Sequence, residues 1–292
     1  MAWIVRLVRN LAVAGAIAAL PLTAFAQAGC KPALSHPPLV HEGILATAIN
    51  PTVPPIQYID DQGHLVGLNV EFGNLIAKHL CLKAQFVSTQ FATMIPGVKE
   101  GRFDMIDTFM YYTPQRASQI HMIPYGAATL AIVVPAANKD NVDGLAYFSG
   151  KSFAVQLGSI DEQEVRAFSA DLVKSGKKPI DVHSFPNYSD VLQTLSAGQV
   201  AGGFIVTEQA YYYQKKGMDF FRIAVAGLYP HAETLGFGNL EIADKVAAVL
   251  NAMAKDGSFA RLFEAYHSCT LAPPFKVTTG EIPTPSCPPH PD

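Results

Sequence analysis

The chain has 292 residues, 49% of them hydrophobic and 15% charged, with a net charge of −3. That is enough apolar material for one large domain or two lobes. The slight negative balance argues against nucleic acid or an anionic membrane surface as a partner.

The N-terminus reads as an export signal. Arg6 and Arg9 precede the apolar run "LAVAGAIAALPLTAFA", and Ala24-Phe25-Ala26 supplies the small-x-small pattern that signal peptidase cuts. A membrane anchor is the alternative, but the run is short for a bilayer and holds Pro21. A lipoprotein signal at Cys30 lacks the apolar residue expected three positions earlier. Residues 1–26 are therefore expected to be a signal peptide, with the working protein in the periplasm. Cys30, Cys81, Cys269 and Cys287 all lie beyond that point, and an even count in an exported chain implies two disulfides. Neither the cysteines nor the scattered histidines show metal-ligand spacing, so no metal and no other cofactor is expected.

After the proline-rich approach "KPALSHPPLVHEG", "GILATAI" reads as a strand. "EFGNLIAKHL" then carries Phe72, Leu75, Ile76 and Leu80 at helical spacing. "AQFVS" and "FDMIDTF" are further strands, followed by the long extended run "GAATLAIVVPAAN" (126–138). The strands "SFAVQL", "DVHSF" and "GGFIV" alternate with the helices "DEQEVRAFSADLVKS", "SDVLQTLSAG" and "TEQAYYYQKK". A second extended run, "FRIAVAGLYPHAETLGFGN" (221–239), precedes two more helices and a proline-rich tail. Such alternation implies βα units with a mostly parallel sheet, which binds ligands at the carboxyl ends of its strands. The two extended runs are the expected crossings between one lobe and another inserted in it. If the first strand and helix pack antiparallel, Cys30 and Cys81 meet at one edge, which leaves Cys269 for Cys287.

"FATMIPGVKEGRFDMIDTFMYYTPQRA" holds an aromatic before an Ile-Pro, a Gly-Arg-x-Asp strand and a Thr-Pro-x-Arg. With the opening "GILATAINPTVPPIQYIDDQGHLVGLNVEFGNLIAKHL", and with "VQLGS", "LSAGQV" and "KDGSFARLFEAY" in order, the chain resembles the family 3 periplasmic solute-binding proteins from about residue 43 to 268. The resemblance implies a two-lobed type II periplasmic-binding-protein fold. Lobe 1 would take 27–133 and 233–292, and lobe 2 would take 134–232, closing on a ligand between them.

It also implies roles. Arg116 stands where the family clamps a ligand carboxylate, which suits a planar guanidinium fork; otherwise it pairs with Asp104 or Asp107. Phe91 matches the aromatic that packs on the ligand, or belongs to the core. Thr108 and Tyr111 fall where the family has small hydroxyl residues. Gly158 and Ser159 match a Gly-Thr pair at a helix N-terminus that favours an anion, with Ser159 as a plain N-cap the alternative.

The departures concern the ligand's ammonium. Val206 stands at the position of the family's ammonium-binding aspartate, and Asn50 and Val53 replace an acid and an aromatic. Phe109 replaces a small residue. A standard α-amino acid should therefore bind poorly unless Glu208 or Asp107 reaches in. The expected function is the receptor of an ABC importer, handing a small carboxylate-bearing solute to a permease, as a monomer and without catalysis. The rivals are a lyase resembling cyclohexadienyl dehydratases, with Asp107 or Glu208 as its acid or base, and the input of a membrane sensor. "LGFGNL" lacks the glycines and the acid of a nucleotide fingerprint.

Overall fold

The computed structural model describes residues 30–286. The expected signal peptide and Cys287 lie outside them. β1 (Ile44–Ile49) is a short apolar strand, five of its six residues buried. β2 (Thr52–Val53), β3 (Gln57–Ile59) and β4 (Leu65–Val66) follow as a small antiparallel sheet. α1 (Leu68–His79) buries Leu68, Phe72 and Ile76 along one stripe, and Lys78 and His79 sit at its carboxyl end, where the dipole favours cations.

β5 (Lys83–Ser88), α2 (Met94–Lys99) and β6 (Met105–Ile106) complete the first βα units. The strand expected over "FDMIDTF" is thus only two residues long, because the chain bends at Thr108 and Phe109 before Tyr111 bridges to Glu233. A single helical turn, α3 (Pro114–Ala117), is held by Thr113, whose hydroxyl accepts from Arg116 N. β7 (His121–Pro135) is fifteen residues long and almost wholly buried.

The remainder alternates as β8 (Ser152–Gln156), α4 (Ile160–Lys174), β9 (Asp181–Phe185), α5 (Tyr188–Ser196), β10 (Gly202–Val206) and α6 (Thr207–Lys215). β11 (Phe221–Phe237) then runs back beside β7. α7 (Leu240–Asp256) is capped by Asn239 and ends at Gly257 in the left-handed region (φ 77°), where a glycine avoids the Cβ clash. α8 (Ser258–Ala265) and β12 (Cys269–Thr270) close the chain.

The main sheet has the order β5-β1-β6-β11-β7-β10-β8-β9, with β12 on β7. Pairing is parallel in β5-β1-β6 and in β10-β8-β9, and antiparallel in the three ladders between. Two parallel βα halves are therefore joined by the long β7 and β11, with the register of that pair shifted four times between Ile223 and Thr234. The doubly-wound halves and their two crossings are the α/β, two-lobed fold expected of the sequence.

A disulfide joins Cys30 to Cys81, as expected. Cys269 is disulfide-bonded too, with its Sγ 3.8 Å from the carbonyl of Ser286, the neighbour of Cys287.

Candidate functional site

Arg116 is brought inward by α3, whose Pro114 and Thr113 fix the turn that aims it. Only 5% of it is exposed. Its guanidinium donates from Nη1 to the carbonyl of Tyr111 at 2.7 Å and from Nη2 to that of Gly158 at 3.0 Å. It also lies 5.4 Å from the centre of the Phe91 ring, within cation–π range. Burial pushes its pKa down to about 10, opposed by the charges of Asp161 and Tyr188. Among the described residues no carboxylate lies within ion-pair distance of it.

The pairing with Asp104 or Asp107 is thus not made. Asp104 instead accepts from the backbone N–H of Val40 and Ala46 at 2.8 and 2.7 Å, tying the chain before β1 to β6. Five donors on a guanidinium and two carbonyl acceptors leave this buried cation with capacity for a further anion.

Gly158, in the turn between β8 and α4, is one of the points where the two halves touch, with Asn187 on Asn50 and Gln209 on Thr52 as others. It has φ 75°, and a Cβ there would stand 3.3 Å from that of Ala92, beside Phe91. Ser159 caps α4: its hydroxyl accepts from Glu162 N at 3.2 Å and donates to Gln156 O at 2.6 Å. Asp161, in the first turn of that helix, accepts from the hydroxyl of Tyr188, 3.2 Å from each carboxylate oxygen. Burial pushes its pKa up to about 6 despite these bonds.

The residues after β1 form a separate polar net. Asn50 donates to Thr89 O at 3.2 Å and to Asn187 Oδ1 at 2.8 Å, joining segments 137 positions apart. Thr108 Oγ1 accepts from Gln57 Nε2 at 2.6 Å, and Gln57 in turn accepts from Asn69. Thr108 therefore faces Gln57 and the backbone of Asn50, away from the Arg116 fork. Val206 is fully buried at the end of β10, and Val53 is buried as well. Phe109 lies edge-on to Tyr111, ring centres 5.4 Å apart.

Beyond Tyr111 lies a group of acids. Asp107 is fully buried, and neither of its oxygens has a hydrogen-bond partner among the described residues. The same holds for Oε1 of Glu233 and for Oε2 of Glu208, although Glu208 as a whole is half-buried. Burial raises the pKa of all three, that of Glu208 to about 7; Glu233 is raised further by the charges of Glu208 and Asp107. The buried hydroxyls of Tyr111 and Tyr125 are unpartnered too. His231 stacks obliquely on Tyr111 at 5.2 Å, and its Nε2 is 3.8 Å from Glu164, too far for a hydrogen bond.

Sequence reading had singled out Asp107 and Glu208 but passed over Glu233, Tyr125, Tyr188, Asp161 and His231. Glu233 had a legible signal: it is the one acid in the extended run "FRIAVAGLYPHAETLGFGN".

Comparison with known proteins bears on this geometry. The model of the bacterial extracellular solute-binding proteins, family 3, matches residues 45–268. The L-cystine-binding protein TcyJ of Escherichia coli strain K12 is 24% identical over 229 residues, covering 77% of this chain and 82% of that protein. The probable ABC transporter arginine-binding protein ArtJ of Chlamydia trachomatis is 30% identical over 146 residues, 46% of this chain and 57% of that protein. Among solved structures, an ancestral arginine-binding protein bound to arginine superposes with a TM-score of 0.70 at 29% identity, covering 77% of this chain and 98% of that one.

Proposed function

Because this chain belongs to the bacterial extracellular solute-binding proteins, family 3, we propose that it traps a small carboxylate-bearing solute on Arg116 and delivers it to the permease of an ABC importer. It is a binding protein and not an enzyme, as its named relatives are. Members of the family work outside the cytoplasmic membrane, and this chain works in the periplasm as a monomer.

The observation that carries the reading is the buried guanidinium with no ion-pair partner among the described residues. Charge buried without a counter-charge is costly, and carbonyl dipoles offset only part of that cost. A ligand carboxylate completes the pairing in the bidentate geometry that guanidinium favours. The solute lies between lobe 1, residues 27–133 and 233–292, and lobe 2, residues 134–232. Phe91 covers one face of it, and Gly158 and Ser159 present the N-terminal end of α4, whose dipole favours the same anion. Tyr111, whose carbonyl takes Nη1–H of Arg116, shapes the wall beside it, whereas Thr108 is engaged with Gln57. Asn50 and Val206, which cannot neutralise an ammonium, leave the α-position of the ligand without a charged contact.

Calorimetry with carboxylates and their carboxamides tests this. Each carboxylate that binds should lose at least tenfold in affinity as its amide. Equal binding of a pair would overturn the reading.

A further inference from the structure

The family match ends at residue 268, yet the chain beyond it stays against the body of the protein. β12 pairs Cys269 with Ala127 and Thr270 with Gly126, and Leu271 N–H donates to the carbonyl of Tyr125 at 2.9 Å. Phe275 is buried, with its ring centre 4.8 Å from that of Phe259. The Asn251 side chain takes both its N–H and its carbonyl, each at 2.8 Å. From there the tail reaches the segment that carries Arg116. Thr278 N–H donates to the carbonyl of Met122 at 2.9 Å, and the Tyr112 hydroxyl donates to the carbonyl of Gly280 at 2.7 Å.

These last two bonds pin that segment at both ends. Tyr112 stands just ahead of α3, and Met122 just behind it in β7. Tyr112 is buried, and its N–H donates to the carbonyl of Ala232 at 2.8 Å. One residue thus ties the turn to β11 by its backbone and to the tail by its hydroxyl. Its neighbour Tyr111 supplies the carbonyl that takes Nη1–H of Arg116. Leu271 and Ile282 of the tail pack on the apolar cluster that contains Phe91, Tyr112 and Ile120, and Ala117 of α3 packs on the same cluster. The tail therefore backs the cluster whose Phe91 ring lies 5.4 Å from the Arg116 guanidinium.

The turn needs support from outside. α3 has four residues, a single turn, and a helix that short does not hold itself in water. A guanidinium presents its donors in a rigid fork, so a tilt of the turn would misalign both of its bonds at once. The tail is suited to supply the support. Pro273, Pro274, Pro283 and Pro285 fix φ along it and reduce the freedom lost on docking. The disulfide at Cys269 secures its near end.

We infer that residues 271–282 are a strap that positions the Arg116 turn, fastened at Tyr112 and at Thr278, and that the strap thereby sets how well the guanidinium fork is aimed at a carboxylate. Tyr112 is a positioning residue: its polar atoms bond Ala232 and Gly280, and it acts through Arg116. The consequence for binding rests on the carboxylate reading of Arg116, whereas the hold on the turn does not.

Nitrogen-15 NMR of the chain from residue 27 onwards, with no solute added, tests the hold through the Arg116 guanidinium protons, identified by their loss in Arg116→Lys. Tyr112→Phe removes one fastening and keeps the ring. Exchange of those protons with water should speed up about three- to tenfold, the worth of one hydrogen bond, and further when Thr278→Pro is added. Asn239→Ala, which uncaps α7, should lower the thermal midpoint and leave the exchange unchanged. Unchanged exchange in both Tyr112→Phe and the double variant, or an equal acceleration in Asn239→Ala, overturns the strap. Calorimetry with pyruvate, succinate and L-alanine, each beside its carboxamide, tests the consequence. A carboxylate that the wild type prefers to its amide should bind Tyr112→Phe at least threefold more weakly, and unchanged affinity overturns the link to binding. If no carboxylate is preferred to its amide, the clamp is overturned, and the exchange rates alone decide whether the strap holds the turn.

Discussion

Two buried charged regions lie on either side of Tyr111, and the protein treats them differently. Arg116 is surrounded by carbonyl oxygens and an aromatic face, so its charge is partly solvated by fixed dipoles. Among the described residues, both oxygens of Asp107 and one each of Glu208 and Glu233 lack such support. A guanidinium cannot discard its charge near neutral pH, so the fold must stabilise it in place. A carboxyl group can take up a proton, so it tolerates burial in its neutral form. The first region is prepared in advance, whereas the second is adjustable.

Removing the prepared charge has the largest expected effect. Arg116→Ala should weaken ligand binding by about 30-fold to several-thousand-fold, corresponding to roughly 2–5 kcal/mol, while circular dichroism shows the fold retained. Unchanged affinity by calorimetry would reduce Arg116 to a structural tie.

The adjustable region should appear in the pH dependence of stability. Asp107, Asp161, Glu208 and Glu233 all have folded-state pKa values above their unfolded ones, chiefly through burial. The folded state therefore binds more protons than the unfolded state above about pH 4, and stability falls as pH rises. With Asp161 at about 6 and Glu208 at about 7, most of the decline from these two lies between about pH 5 and 7. Urea unfolding of the ligand-free protein should show it as on the order of 1–3 kcal/mol lost from pH 5 to 8. Rising stability over that range would show that these acids ionise without penalty.

Val206→Asp sharpens the contrast by restoring an acid on the other wall. Plain α-amino acids should gain about tenfold, or ~1.4 kcal/mol, while the native solute weakens because a second carboxylate goes unpaired. Comparing titrations of both proteins with glycine, alanine and non-amino acids decides it; no gain would mean that Val206 does not line the ligand. The smallest effect belongs to Ser159→Ala. Its hydroxyl is already committed to Gln156 and Glu162, so the variant should lose about 1 kcal/mol of stability as a missing N-cap. Ligand affinity should change by less than threefold, and a larger loss would place the hydroxyl on the ligand.

The succession of strands and helices was legible in the sequence because hydrophobic period and caps are local. β1, β5, β8, β9 and β10 fall where alternation and apolar runs put them, and β7 and β11 where two long extended runs did. The brevity of β6 was not legible, since "FDMIDTF" is apolar enough for a longer strand and its ending depends on how Thr108 and Asp107 are held. Asp104 and Asp107 make the same point within one segment. Three residues apart and identical in type, one is satisfied by two backbone donors and the other by none. Sequence spacing records neither partner, because both come from elsewhere in the chain. Arg116 could be read from its motif; the acids opposite it could not be read as a group, because only folding brings positions 107, 208 and 233 together.

The shifted register between β7 and β11 has a mechanical outcome. Ladder pairs are continuous from Thr234 to Phe237 and again at Phe221 to Ile223, while the stretch between steps past its partner repeatedly. Each step replaces a taut rung by slack backbone that can absorb torsion. Rotation of one half against the other can be taken up along these few residues, with the parallel strands at both ends left unstrained. Glu233 sits at the last of those steps, so a buried acid whose Oε1 has no partner among the described residues borders the torsion joint. A solute trapped between the halves, as proposed above, would hold this joint in one setting, so that occupancy is registered as rigidity.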